Sequence, residues 1–157
     1  MVGLQTREAT SKGAELKAGS PNRPDTSRPN LPRTADGKMK KIIIAFDVDG
    51  TLIRNTAEPG DRTHGTPNND DVPLVHWINT LQVLAARTKN VKIVVWSGGG
   101  KEYATTWGHR LGLDQYVWRY CSKLEYQELK AQCDYLIAFD DIQATALGDA
   151  NIIVREK

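Results

Sequence analysis

Cysteine is scarce in this 157-residue chain, and no long apolar run occurs. The two cysteines, Cys121 and Cys133, are too few for a disulfide scaffold and lack the paired spacing of a zinc site. A helix that crosses a bilayer needs about 18 or more consecutive apolar residues, and no such run is present. The opening residues, MVGLQTREATSKG, hold no apolar core of the signal-peptide kind, so a reducing, cytoplasmic setting is expected. Strong charge of either sign is also missing: 21 Lys+Arg face 19 Asp+Glu, a net of +2. With 39% hydrophobic and 25% charged residues, the composition is that of an ordinary globular protein of one domain. There is no internal repeat and no GxxxxGK[ST] phosphate loop of the kinase kind.

The average hides a division. Residues 1–40 contain no Ile, Phe, Trp or Tyr and hold four of the seven prolines, Pro21, Pro24, Pro29 and Pro32. They carry eight Lys/Arg against four Asp/Glu, a net of +4, while residues 41–157 carry a net of −2. A segment so poor in large apolar side chains cannot offset its ordering entropy by burial. Residues 1–40 are therefore expected to be a disordered basic tail, able at most to make weak electrostatic contact with nucleic acid. The folded domain is expected over residues 41–157.

Within that domain, strand and helix patterns alternate. Lys41–Phe46 is a continuous β-branched run of the kind buried on both faces of a parallel sheet. Residues 54–71 are polar and rich in turn formers, so they read as a long loop. Asp70 or Asp71 is placed to cap a helix over Val72–Thr88, with Pro73 in its first turn. Lys92–Trp96 is a second strand, closed by Ser97-Gly98-Gly99-Gly100, and Lys101–Leu111 a helix stopped by Gly112. Tyr116–Tyr120 reads as a third strand, Leu124–Cys133 as a short helix, Tyr135–Phe139 as a fourth strand and Asn151–Val154 as a fifth. This order predicts an α/β, Rossmann-like three-layer sandwich with a mostly parallel five-stranded sheet.

The polar residues cluster at strand ends. Three strands finish in Asp47-Val48-Asp49-Gly50-Thr51, in Ser97-Gly98-Gly99-Gly100 and in Asp140-Asp141. In an open parallel sheet the ligand crevice lies beyond the carboxyl ends of the strands. Four carboxylates, a hydroxyl and a glycine loop would converge there if these strands are neighbours. Unpaired carboxylates at such distances repel, and a hard cation such as Mg²⁺, shared with substrate phosphate, relieves the conflict.

These residues carry a resemblance to a known family. Asp47-Val48-Asp49-Gly50-Thr51-Leu52 resembles the first motif of the haloacid dehalogenase (HAD) superfamily, and Val94-Val95-Trp96-Ser97 the second. Lys123 stands where the third motif has a Lys or Arg, with Lys101 as its rival, and Leu136–Asp141 resembles the fourth. Most of that family transfer phosphoryl groups, with Mg²⁺ as cofactor. The resemblance implies that Asp47 is the nucleophile and Asp49 the general acid and base. It implies that Asp47, Asp49 (through its carbonyl), Asp140 and Asp141 form the metal set. Gly50, Ser97, Gly98 and Lys123 would hold the phosphoryl group. Asp49 to Ser97 spans 48 positions and Ser97 to Lys123 only 26, so no cap domain is expected. The open site would suit a small phosphoester, a nucleotide or a nucleic-acid end, with Arg54, Arg62 and His64 on a flap beside it. A catalytically silent phosphate- or nucleic-acid-binding module on the same scaffold is the alternative. Asp149, His76, His109, Cys121 and Cys133 are expected outside the site, and the four tryptophans in the core.

Overall fold

Burial on both faces of one strand organises the molecule. The computed structural model describes residues 35–56 and 65–155, all within the unit Leu31–Lys157. Most of the expected basic tail therefore lies outside the described residues, as does part of the 54–71 loop. In chain order the elements are β1 (Ile42–Asp47), β2 (Ile53–Arg54), β3 (Val72–Pro73), α1 (Val75–Arg87), β4 (Val91–Ser97), α2 (Lys101–Arg110), β5 (Arg119–Ser122), α3 (Tyr126–Ala131), β6 (Tyr135–Asp140) and β7 (Ala150–Ile153). The strand order of the main sheet is β5-β4-β1-β6-β7, and every neighbouring pair is parallel. β2 and β3 form a separate two-stranded antiparallel ribbon. The fold is α/β with a five-stranded parallel sheet and three helices, as in Rossmann-like proteins.

Alternate side chains of the central strands feed two separate cores. Ile44, Phe46, Ile93, Val95 and Phe139 pack with Ile78 and Leu81 of α1 and Trp107 of α2. Ile43, Ala45, Val94, Trp96, Leu136 and Ala138 pack with Leu129 of α3 on the other face. The helix between β1 and β4 and the one between β4 and β5 thus share a face. The return from β5 to β6 runs in the opposite direction along the sheet and puts α3 on the other face. A single crossover hand requires that arrangement.

Three local expectations are corrected. The helix expected from Val72 begins at Val75, because Val72 and Pro73 pair with Arg54 and Ile53 instead. Asp71 does not cap it; its carboxylate accepts the Thr56 amide at 3.1 Å and closes the base of the loop. The third strand starts at Arg119 rather than Tyr116, because the amides of Tyr116 and Val117 bond to the carbonyl of fully buried Leu113 in a turn. The expected helix over Leu124–Cys133 is split. Lys123–Glu125 is a 3₁₀ turn, with Ser122 and Glu125 exchanging side-chain-to-amide hydrogen bonds in a capping box before α3 begins.

No helix among the described residues is long and apolar enough to cross a membrane. Leu129 is the one buried side chain of α3 and anchors that helix to the sheet. Leu129→Ala should therefore cost about 2–5 kcal/mol of unfolding free energy in a denaturant titration. A loss within the range of surface substitutions, about 0.5 kcal/mol or less, would show that α3 does not depend on the burial of Leu129.

Candidate active site

The sheet order reverses direction between β1 and β6, which is where a parallel sheet opens a crevice at its carboxyl edge. Asp47 ends β1 and Asp140 ends β6. By two-residue alternation Asp47 follows Ile43 and Ala45, and Asp140 follows Leu136 and Ala138, so both carboxylates emerge on the α3 side. Lys123, set by the capping box at the end of β5, reaches into the same place. Its Nζ lies 2.6 Å from Asp140 Oδ2 and 3.2 Å from Asp47 Oδ1. The other oxygen of Asp140 accepts the Ile142 amide at 3.1 Å and the Thr145 hydroxyl at 3.0 Å. Thr145 also accepts from Lys123 Nζ at 3.3 Å.

Charge in this crevice does not balance. Asp47, Asp140 and Asp141 each offer an oxygen within 4.8 Å of the others, and among the described residues Lys123 bridges two of them. Asp47 is 4% exposed, and burial pushes its carboxyl up to about 8, with Asp140 and Asp49 adding to the rise and Lys123 opposing it. Burial and the adjacent Asp140 also raise Asp141. A crowded set of oxygen donors with surplus negative charge has the chemistry of a hard-cation site. Gly50 completes this wall. Its φ is +71°, and a Cβ there would collide with the Asp141 carboxylate, so both conformation and space require glycine.

Beside the crevice, the Tyr103 hydroxyl of α2 donates to Asp49 Oδ1 at 2.6 Å. Ser97 is buried at the end of β4, and its Oγ accepts the Gly99 amide at 2.9 Å, so its described bond is local. Among the described residues, a Cβ at Gly98 would meet nothing within 4 Å. Gly99 instead packs against Gly65, where the flap returns; a Cβ on Gly65 would lie 2.7 Å from the Gly99 carbonyl oxygen. Thr51 is buried with its hydroxyl unpartnered, so it is no turn cap.

Of the two candidate cations, it is Lys123 that stands at the carboxylates, while exposed Lys101 lies in the field of Glu125 and Cys121. Asp149 pairs with Lys130 and accepts the Leu136 amide at 2.8 Å, away from the crevice. His76 and His109 are exposed, the latter 2.7 Å from Asp114. Trp118 is not core: it is 41% exposed under Lys92 Nζ, 3.7 Å from the ring centre. Cys121 is buried and Cys133 half-buried. Arg62 and His64 lie outside the described residues. Sequence reading missed Tyr103 and Thr145. Tyr103 lies on the inward face of α2 between Ala104 and the glycine loop, where an aromatic reads as core; Thr145 sits in a short 3₁₀ turn with no periodic signal.

The chain matches no protein-family model, and no curated protein matches it.

The Asp47 shift has a stability consequence. A carboxyl raised from its unfolded value of 3.8 to about 8 makes the folded state bind the extra proton between those limits. Stability contributed by the neutral form is present at low pH and is lost as pH rises toward 8. In chelator-containing buffer, the melting temperature of Asp47→Asn should therefore gain on that of the native chain as pH increases from 5 to 8. Parallel pH profiles for the two proteins would contradict the placement of Asp47 in this buried field.

Proposed function

We propose that this chain is a phosphomonoester hydrolase of the haloacid dehalogenase type, without a cap domain, that works through a phosphoryl group carried on Asp47 and depends on Mg²⁺. The observation that carries the reading is Lys123 held between the Asp47 and Asp140 carboxylates, with Asp141 alongside, at the switch point of the sheet. Among the described residues, the β2–β3 ribbon and α1 are the elements between β1 and β4, and α2 the one between β4 and β5, which supports an uncapped site.

Asp47, Asp140 and Asp141 would hold the cation, which supplies positive charge against the carboxylates and the phosphoryl oxygens. An Asp47 oxygen attacks phosphorus while the bond to the leaving oxygen breaks. Asp49 gives its proton to that oxygen, so the alcohol leaves neutral. Water then attacks the phosphorus of the aspartyl-phosphate and Asp49 takes its proton. The phosphorus–Asp47 bond breaks, inorganic phosphate leaves, and Asp47 is regenerated. Lys123 offsets the charge on Asp47 and on the phosphoryl group throughout, and Ser97 and Gly98 hold phosphoryl oxygens at the end of β4. Tyr103 positions the Asp49 carboxyl through its hydrogen bond. Substrate is a small phosphoester, a nucleotide or a nucleic-acid end.

Phosphate release from an aryl phosphate and from nucleoside monophosphates should require Mg²⁺ and stop in chelator. Asp47→Asn should lower it by about 10³-fold or more while circular dichroism stays native; an unchanged rate in that variant ends the proposal. Binding of Mg²⁺ and phosphate without turnover on any phosphoester would favour the silent module. Tyr103→Phe should lower kcat on alkyl phosphates by roughly tenfold with KM little changed. It should matter less on an aryl phosphate, whose leaving oxygen needs little protonation. Equal losses on both substrates would remove Tyr103 from any role through Asp49.

A further inference from the structure

Two open clefts share a wall of the same two arginines, and one of them reaches the carboxylate site at Asp141. The nearer, of about 480 Å³, is walled by Gly50, Asn55, Asp141 and Val154 together with Arg54 and Arg155. The farther, of about 730 Å³, continues past Arg54 and Arg155 to His76 and Asn79 at the start of α1. Asp141 is the only carboxylate lining either cleft among the described residues, and it belongs to the carboxylate cluster.

Both arginines sit on backbone that the fold fixes. Arg54 ends β2, paired with Val72 across the ribbon and preceded by fully buried Ile53. The Leu74 amide ties the ribbon to the Leu52 carbonyl at 2.8 Å. Arg155 follows Val154, which is 2% exposed and whose amide bonds to the Asp140 carbonyl at 2.8 Å. One arginine is thus anchored to the turn after the Asp47–Asp49 motif, the other to the strand end that carries Asp140. Guanidinium forks are matched to phosphate oxygens and remain charged at any physiological pH.

We propose that Arg54 and Arg155 bind a second phosphate of the substrate, distinct from the one that is removed. This rests on the phosphatase reading for what happens at Asp47, and it narrows the substrate to nucleotides or nucleic-acid ends that carry a further phosphate beside the scissile one. The second phosphate lies over the nearer cleft while the scissile one meets the carboxylate site. Asn55 and His76 line the flanks of the run, within reach of sugar or base.

The test separates binding from turnover. In the Asp47→Asn protein with Mg²⁺, calorimetry compares adenosine 3′-monophosphate, adenosine 3′,5′-bisphosphate and a 3′-phosphorylated dinucleotide. The two ligands with a further phosphate should bind at least tenfold tighter than the monophosphate. Arg54→Ala with Arg155→Ala in the same background should erase that advantage and leave the monophosphate unchanged. A gain confined to the bisphosphate identifies a mononucleotide substrate; a gain shared by the dinucleotide identifies a strand end. Equal affinities for all three, no binding of any, or an advantage that survives the arginine substitutions overturns the proposal. If the arginine-dependent gain is present but native protein releases no phosphate from these ligands, the second-phosphate site stands and the hydrolase reading falls.

Discussion

One ammonium shared by two buried carboxylates, with a third beside them, is the constraint on which the rest depends. Lys123 is 2.6 Å from Asp140 and 3.2 Å from Asp47 and cannot neutralise both, let alone Asp141. Burial makes the imbalance costly, as the raised Asp47 carboxyl records. A protein that serves only its own stability has little reason to bury such a group, since apolar side chains fill a core at lower cost. The imbalance has the sign that a bound cation would offset, and strained electrostatics of this kind concentrate at functional sites.

Topology delivers these groups without any local sequence proximity. Asp47, Lys123 and Asp140 come from the ends of three strands far apart in the chain. They meet because β1 lies between β4 and β6 and the chain reverses its progress across the sheet after β5. The side-chain alternation that buries Ala45 and Ala138 on the α3 face also turns Asp47 and Asp140 toward it. Fold stability and site geometry therefore rest on the same register: a one-residue slip in β1 or β6 would bury a carboxylate in the wrong core.

Much of this was legible in the sequence, for identifiable reasons. The apolar runs around Ile42–Phe46, Ile93–Trp96 and Leu136–Phe139 are too continuous for half-exposed strands, and their acidic or small termini mark the carboxyl edge. The periodicity of Ile78, Leu81 and Leu84 found α1, though not its start. What escaped depends on non-local pairing. Val72-Pro73 could not be known to join a ribbon until Ile53-Arg54 was placed opposite. The three-residue shift of β5 follows from the turn held by Leu113, a contact that no strand propensity encodes. It matters for the site, because the strand now ends at Ser122 and its capping box aims Lys123. Tyr103 was silent because it serves the site through a hydrogen bond made across the fold to Asp49, and Thr145 because its bonds to Asp140 and Lys123 come from a short turn that no periodic pattern marks.

The central claim is that Asp47 carries the phosphoryl group. The most direct measurement is mass spectrometry of Asp49→Asn protein, acid-quenched after mixing with Mg²⁺ and an aryl phosphate, where loss of the general base slows release of the intermediate. The account predicts a phosphoryl adduct on the peptide containing Asp47, formed with Mg²⁺ and missing when Asp47→Asn is added to the same protein. Phosphate release by the native chain with an unmodified Asp47 peptide at every quench time would contradict it.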